Sequence, residues 1–93
     1  MYDNIIKNGD IIINKQFKYP LIYIDDKYYI LQDTNIVATI TGQILDNSNV
    51  LKIYRSKESL NRNTIQWIYN VGKYKNYDIP LNEFDLIYSL NNI

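Results

Sequence analysis

Thr64-Ile65-Gln66-Trp67-Ile68-Tyr69-Asn70-Val71 is the stretch whose reading decides the fold. Read as extended chain, Ile65, Trp67, Tyr69 and Val71 fall on one side. Thr64, Gln66 and Asn70 fall on the other, with Ile68 the one apolar exception. Successive side chains of a strand point to opposite faces of a sheet, so this period of two predicts a half-buried strand. The stretch also holds the only Trp, the largest anchor open to a small core. It is expected to be the central strand of a mainly β domain, with its indole buried.

Working outward, Val50 to Arg55 reads as the strand before it, placed antiparallel to it, and Ser56 to Asn63 as a polar connection with room for one helical turn. Further upstream, Asn8-Gly9-Asp10 is a turn, and the β-branched run Asp10 to Asn14 is a strand. Pro20 starts or borders a strand that continues from Leu21 to Ile24, because proline cannot donate a ladder hydrogen bond. Asp25-Asp26-Lys27 forms a tight hairpin loop into a strand from Tyr28 to Gln32. Ile36 to Thr41 is read as a strand from its β-branched density; the rival is a helix with Ile36, Ile40 and Ile44 on one face. Downstream, Gly72 to Asp78 is a polar loop. Leu81 to Phe84 is either a tight turn feeding a closing strand, Asp85 to Ser89, or the start of a helix capped by Asn82. The turn and strand are preferred. Six or seven short strands with turns this close together predict a small barrel or rolled antiparallel sheet, with room for one short helix.

Composition bounds the chemistry. Ninety-three residues make one domain with a modest core. Net charge is +0, so the chain as a whole is no electrostatic glue for DNA or anionic membranes. No apolar run reaches membrane-spanning length. Met1 to Ile5 lacks the basic and apolar regions of a signal peptide, and with Cys absent the expectation is a reducing, cytoplasmic setting. His is absent too, which removes the commonest general base and metal ligand. The 3 Gly are far apart and form no phosphate cradle. No enzyme activity, cofactor or metal is expected. Tyr, at 10 residues, suits interfaces, with a rigid ring and a polar tip; a coding sequence rich in A and T would also enrich Ile, Asn, Lys and Tyr.

Ile6-Lys7-Asn8-Gly9-Asp10-Ile11-Ile12 resembles the opening of many small phage and prophage proteins, and Val50-Leu51-Lys52-Ile53-Tyr54-Arg55 resembles their midpoint. Ile79-Pro80-Leu81-Asn82-Glu83-Phe84-Asp85-Leu86-Ile87 is similar to the closing segment of SH3-like barrels. The chain departs from that pattern at Ser56, where Pro is usual, and from Gln16 to Pro20, where the first loop lacks its Gly. The resemblance implies a mobile-element protein of a bacterial host with an SH3-like fold, and no activity.

Two charge clusters are candidate sites. From Lys52 to Lys75 the basic residues are Lys52, Arg55, Lys57, Arg62, Lys73 and Lys75, and Glu58 is the one acidic residue. Tyr54, Tyr69, Tyr74 and Tyr77 lie in or beside this stretch. Such residues neutralise phosphates and stack on bases, or dock on an acidic protein surface. The partner-binding set is therefore Tyr54, Arg55, Lys57, Arg62, Lys73, Tyr74 and Lys75; a solvated face with the Tyr rings turned inward is the structural alternative. An acidic face of Asp25, Asp26 and Asp33, with Asp46 in a later loop, matches no calcium-loop spacing and suits turns equally well. The leading expectation is a non-enzymatic module that blocks a host protein or ribonucleoprotein by occupying its surface, as an anti-CRISPR-type anti-defence inhibitor would. The alternative is a nucleic-acid-binding accessory protein using the 52–75 stretch. A self-associating assembly protein is a third option, so oligomeric state stays open.

Overall fold

The computed structural model describes residues 6–31, 39–40 and 49–90. In chain order the elements are β1 (Ile11–Asn14), β2 (Leu21–Ile24), β3 (Lys27–Ile30), β4 (Thr39–Ile40), β5 (Val50–Ser56), α1 (Arg62–Asn70) and β6 (Phe84–Ser89). The strands form one antiparallel sheet in the order β4-β3-β2-β1-β5-β6, with β4 only two residues long. Among the described residues no pairing joins β4 to β6, so the sheet is open.

The Trp67 stretch is not a strand. Thr64 to Asn70 lies in α1, and the strand expected beside β5 is replaced by β1 on one side and β6 on the other. The reason lies at both ends of the helix. The Asn61 side chain accepts a hydrogen bond from the Thr64 N–H at 2.8 Å, which satisfies one of the orphan donors of the first turn. At the far end Gly72 adopts a left-handed φ of 61°. Its N–H bonds the Tyr69 carbonyl, and the Lys73 N–H reaches back to Ile68. That pair of bonds is a Schellman closure, which a side chain at position 72 would strain. Between these signals Ile65, Ile68 and Tyr69 make a stripe at the i, i+3, i+4 spacing of a helix face. Ile65 and Ile68 are buried, while Trp67 is 51% exposed and Val71 is also exposed. The residue that breaks the alternation, Ile68, is thus the one that anchors the helix.

The other elements follow the sequence closely. β1 and β2 lie within their expected bounds, and Leu81 to Glu83 is a turn leading into β6, which starts at Phe84, one residue before the expected strand; the segment is not a capped helix. The β2–β3 hairpin turns on Asp25 and Asp26 alone, both at positive φ (48° and 68°); Lys27, expected in the loop, opens β3 and pairs with Ile24. That is the geometry of a two-residue loop matched to strand twist. Of the expected strand from Ile36 to Thr41, Thr39–Ile40 pairs with β3, and the rest lies outside the described residues.

The sheet is covered on both faces. Ile11, Ile22, Ile24 and Leu31 pack with Ile65, Ile68, Tyr74 and Phe84 on the side of the helix. Ile6, Ile12, Leu21, Tyr28, Val50 and Ile53 form a second cluster. Neighbours such as Ile11 and Ile12 therefore point into different clusters, which is why residues 11–13 of β1 are all isoleucine with no polar alternation. Gly9 lets the helix come close. It has a φ of 91°, and a Cβ there would meet Ile65 at 3.2 Å and Leu60 at 3.3 Å.

Candidate functional site

The basic stretch crosses β5, the connection to α1, the helix and the turn after it, and these elements point their cations in different directions. Arg55 sits at the end of β5 beside Asp10. Its Nε donates to Asp10 Oδ1 at 3.0 Å and its Nη2 to Oδ2 at 2.8 Å. The Lys7 N–H donates to the same carboxylate at 2.9 Å. Asp10 is 1% exposed. The hydrogen bond to Asp10 raises the Arg55 pKa, helped by the carboxylate charge and opposed by burial. This is a built-in fork-to-fork pair, the geometry in which arginine holds a carboxylate best. Arg62, exposed on the first turn of α1, pairs with Asp25. Lys57 lies 3.8 Å from Asp85 on β6.

The expected acidic face is drawn into the same scheme. The Asp25 N–H donates to Asn8 Oδ1 at 2.9 Å, and Asp25 Oδ1 accepts from Asn8 Nδ2 at 3.3 Å. Asp26 accepts from the Tyr23 hydroxyl at 2.9 Å. Asp33 lies outside the described residues. Asp25 thus ties the β2–β3 turn to α1 through Arg62, and the two clusters read separately in the sequence meet here. Among the described residues no group of three His, Cys, Asp or Glu converges to hold a metal.

Tyr74 does not face outward as a contact residue would. Its ring is buried against Phe84, with centroids 5.2 Å apart and planes at 84°. Tyr54 packs toward the helix-side cluster and lines a separate shallow depression with Tyr77 and Ile79. Lys75 is half-buried in the turn after the helix. The structure therefore brings only Lys57, Lys73 and Tyr74 of the proposed set to one place.

That place is a groove of about 500 Å³ between α1, the turn after it and the segment leading into β6. Ile68, Tyr74, Phe84 and Leu60 supply apolar surface, and Trp67 forms an exposed wall. A smaller hollow of about 350 Å³ in front of Asp10 and Arg55 shares Ser56, Glu58 and Leu60 with it. The Lys73 ammonium lies 5.2 Å from the Trp67 ring centroid and 5.3 Å from that of Tyr74. A cation over an exposed indole contributes about 0.5–1 kcal/mol.

The turn that carries Lys73 is held against its own preference. Tyr74 and Tyr77 have φ values of 70° and 63°, a region costly for bulky side chains. Tyr74 is retained there by its buried ring. Tyr77 is retained by its hydroxyl, which donates to the Phe17 carbonyl at 3.3 Å and also to that of Lys18. These two anchors hold the turn that forms one wall of the groove.

Sequence reading missed Trp67 as a groove residue because it took the indole for core. The signals for the helix were Asn61 and Gly72, set just outside a stretch whose buried positions follow the helical period.

No protein-family model matches this chain, and neither a curated protein nor a solved structure matches it. Among the described residues no helix is long and apolar enough to cross a membrane.

Proposed function

We propose that the chain is a non-enzymatic binding module that acts by occupying a surface on a host protein, and that its contact surface is the Trp67 groove. The carrying observation is Trp67 itself. A large apolar side chain stands 51% exposed on the wall of a groove built on rigid elements. Exposed indoles beside packed apolar pockets are the usual anchors of protein interfaces. The sequence adds support, since it has no His and no Cys.

The nucleic-acid alternative loses support from the ion pairs. Arg55 and Arg62 already hold carboxylates, and a phosphate would have to displace them. A mobile-element origin, a cytoplasmic site of action in a bacterial host and an anti-CRISPR-type role rest on the sequence resemblance. An SH3-like barrel is the finer reading of the sheet; its support is the four-strand meander with a fifth strand returning beside the first.

The test pairs two measurements. Host lysate passed over the immobilised protein should yield a protein retained by wild type and lost with Trp67→Ala. Labelled DNA and RNA should show no shift at low salt. A shift that weakens steeply with salt and survives Trp67→Ala would overturn the reading in favour of nucleic acid.

A further inference from the structure

We infer that the shallow depression beside β5 is a second contact site, and that it takes an acidic segment of a protein partner: a carboxylate at Lys52 with an apolar or aromatic side chain next to it. The inference goes beyond the Trp67 groove and stands without it. The depression holds about 260 Å³ and is lined by Ile13, Leu51, Lys52, Tyr54, Tyr77 and Ile79. Lys52 and Tyr54 are two residues apart on β5 and lie opposite Ile13 and Ile11 of β1, so their side chains share the face of the sheet that carries the helix. Tyr77 and Ile79 come from the segment after α1. The turn that gives Lys73 and Tyr74 to the Trp67 groove gives Tyr77 to this depression, so one anchored turn serves both sites. None of the six lining residues is buried: Lys52 and Tyr77 are exposed and the other four are half-buried, so a partner can touch all of them.

The class of occupant follows from what the protein leaves unanswered. Arg55 holds Asp10, Arg62 holds Asp25, Lys57 lies 3.8 Å from Asp85, and Lys73 rests over Trp67 and Tyr74. Among the described residues Lys52 has no carboxylate within salt-bridge distance and lies over no ring. It is the one charged residue of the lining; Asp78, between Tyr77 and Ile79 in sequence, does not line the depression. The Tyr54 hydroxyl has no hydrogen-bond partner among the described residues either. An ammonium only donates, and a phenol can donate beside it, so together they suit a carboxylate. The Tyr77 hydroxyl is spent on the Phe17 and Lys18 carbonyls, which leaves its ring, 46% exposed, as apolar surface beside Ile13, Leu51 and Ile79. A basic segment would set a like charge against Lys52. The volume is below the roughly 300–1,000 Å³ of small-molecule sites and suits one or two side chains. A nucleic acid needs phosphates answered at successive positions, and both arginines of the stretch already hold carboxylates.

The test follows backbone amide shifts by two-dimensional NMR. The probes are three glycine-serine peptides, each with a central Glu-Phe-Glu, Gln-Phe-Gln or Lys-Phe-Lys. The glutamate peptide should shift the amides of Leu51, Lys52, Tyr54 and Tyr77 saturably, and the other two should not. Lys52→Gln, an exposed change, should weaken glutamate-peptide binding roughly three- to tenfold, as expected for an exposed ion pair. Lys27→Gln, exposed on the β2–β3 hairpin, and Trp67→Ala should leave that binding unchanged. No saturable shift at these amides with any peptide, an equal response to the lysine peptide, or an affinity that Lys52→Gln does not alter overturns the inference. Glutamate-peptide binding that is lost with Trp67→Ala belongs to the groove, which rejects this site and keeps that one. A thymidine oligonucleotide that shifts the same amides at lower concentration than the glutamate peptide overturns the inference in favour of phosphate.

Discussion

Asp10 shows how much rests on one side chain. It is buried at the start of β1, and its two oxygens hold Arg55 and the Lys7 N–H. Removing the carboxylate takes away both hydrogen bonds that Arg55 makes to Asp10 and leaves the Lys7 N–H without this acceptor. Losing one member of such a pair costs about 3–5 kcal/mol, toward the lower end here because Arg55 retains some solvent. Urea denaturation of Asp10→Ala should show that loss. Replacing both partners, as Asp10→Leu/Arg55→Met, should cost less than the single change, because the guanidinium goes together with the carboxylate it faces. Gly9, next to it, is constrained twice over: by its positive φ and by the 3.2 Å approach of Ile65. Gly9→Ala should destabilise by about 1–3 kcal/mol in the same assay.

At the scale of the element, α1 separates the two readings of its own sequence by experiment. In a strand with Trp67 inward, Trp67→Ala would be the costly change. In the helix the cost falls on Ile68, buried against the sheet. Ile68→Ala should therefore lose about 2–4 kcal/mol and Trp67→Ala less than about 1 kcal/mol, measured by chemical denaturation. Gly72→Ala, which strains the Schellman closure, should cost about 1 kcal/mol. The same element shows what was legible in the sequence. Strands β1, β2 and β5, the Asp25–Asp26 hairpin and the turn into β6 were readable, because β-branched runs and turn residues act locally. The helix was not, because Ile65, Trp67, Tyr69 and Val71 satisfy a period of two by coincidence while Ile65, Ile68 and Tyr69 satisfy 3.6, and the cap signals that decide between them, Asn61 and Gly72, lie just outside the stretch. The site followed the same rule. Lys73 and Lys57 were visible as charges, but that Arg55 belongs to Asp10 and Arg62 to Asp25 depends on approaches across 45 and 37 residues.

For the molecule as a whole, pH sets a limit on the alkaline side. Burial raises the Tyr69 hydroxyl above its ordinary 10.0, and nearby Tyr29 raises it further. Burial raises Tyr77 as well. A phenol whose folded pKa lies above its unfolded value adds stability that is complete below the unfolded pKa. That stability disappears as pH climbs through the folded one, because the unfolded chain ionises first. The urea midpoint should thus show no tyrosine-linked change from pH 7 to 9 and fall above about pH 10, and Tyr69→Phe should fall less steeply.

The turn before β1 carries one more consequence. Asn-Gly is the dipeptide most prone to spontaneous deamidation, through attack of the glycine nitrogen on the asparagine side chain with loss of ammonia. Here the Gly9 nitrogen donates to the Tyr23 carbonyl at 2.8 Å, and the Asn8 amide is gripped from both ends by Asp25. Both reacting groups are tied down, so the folded protein should age slowly at this bond. Mass spectrometry after weeks at pH 8 should find Asn8 intact in the native protein and converted to aspartate and isoaspartate in the urea-unfolded chain.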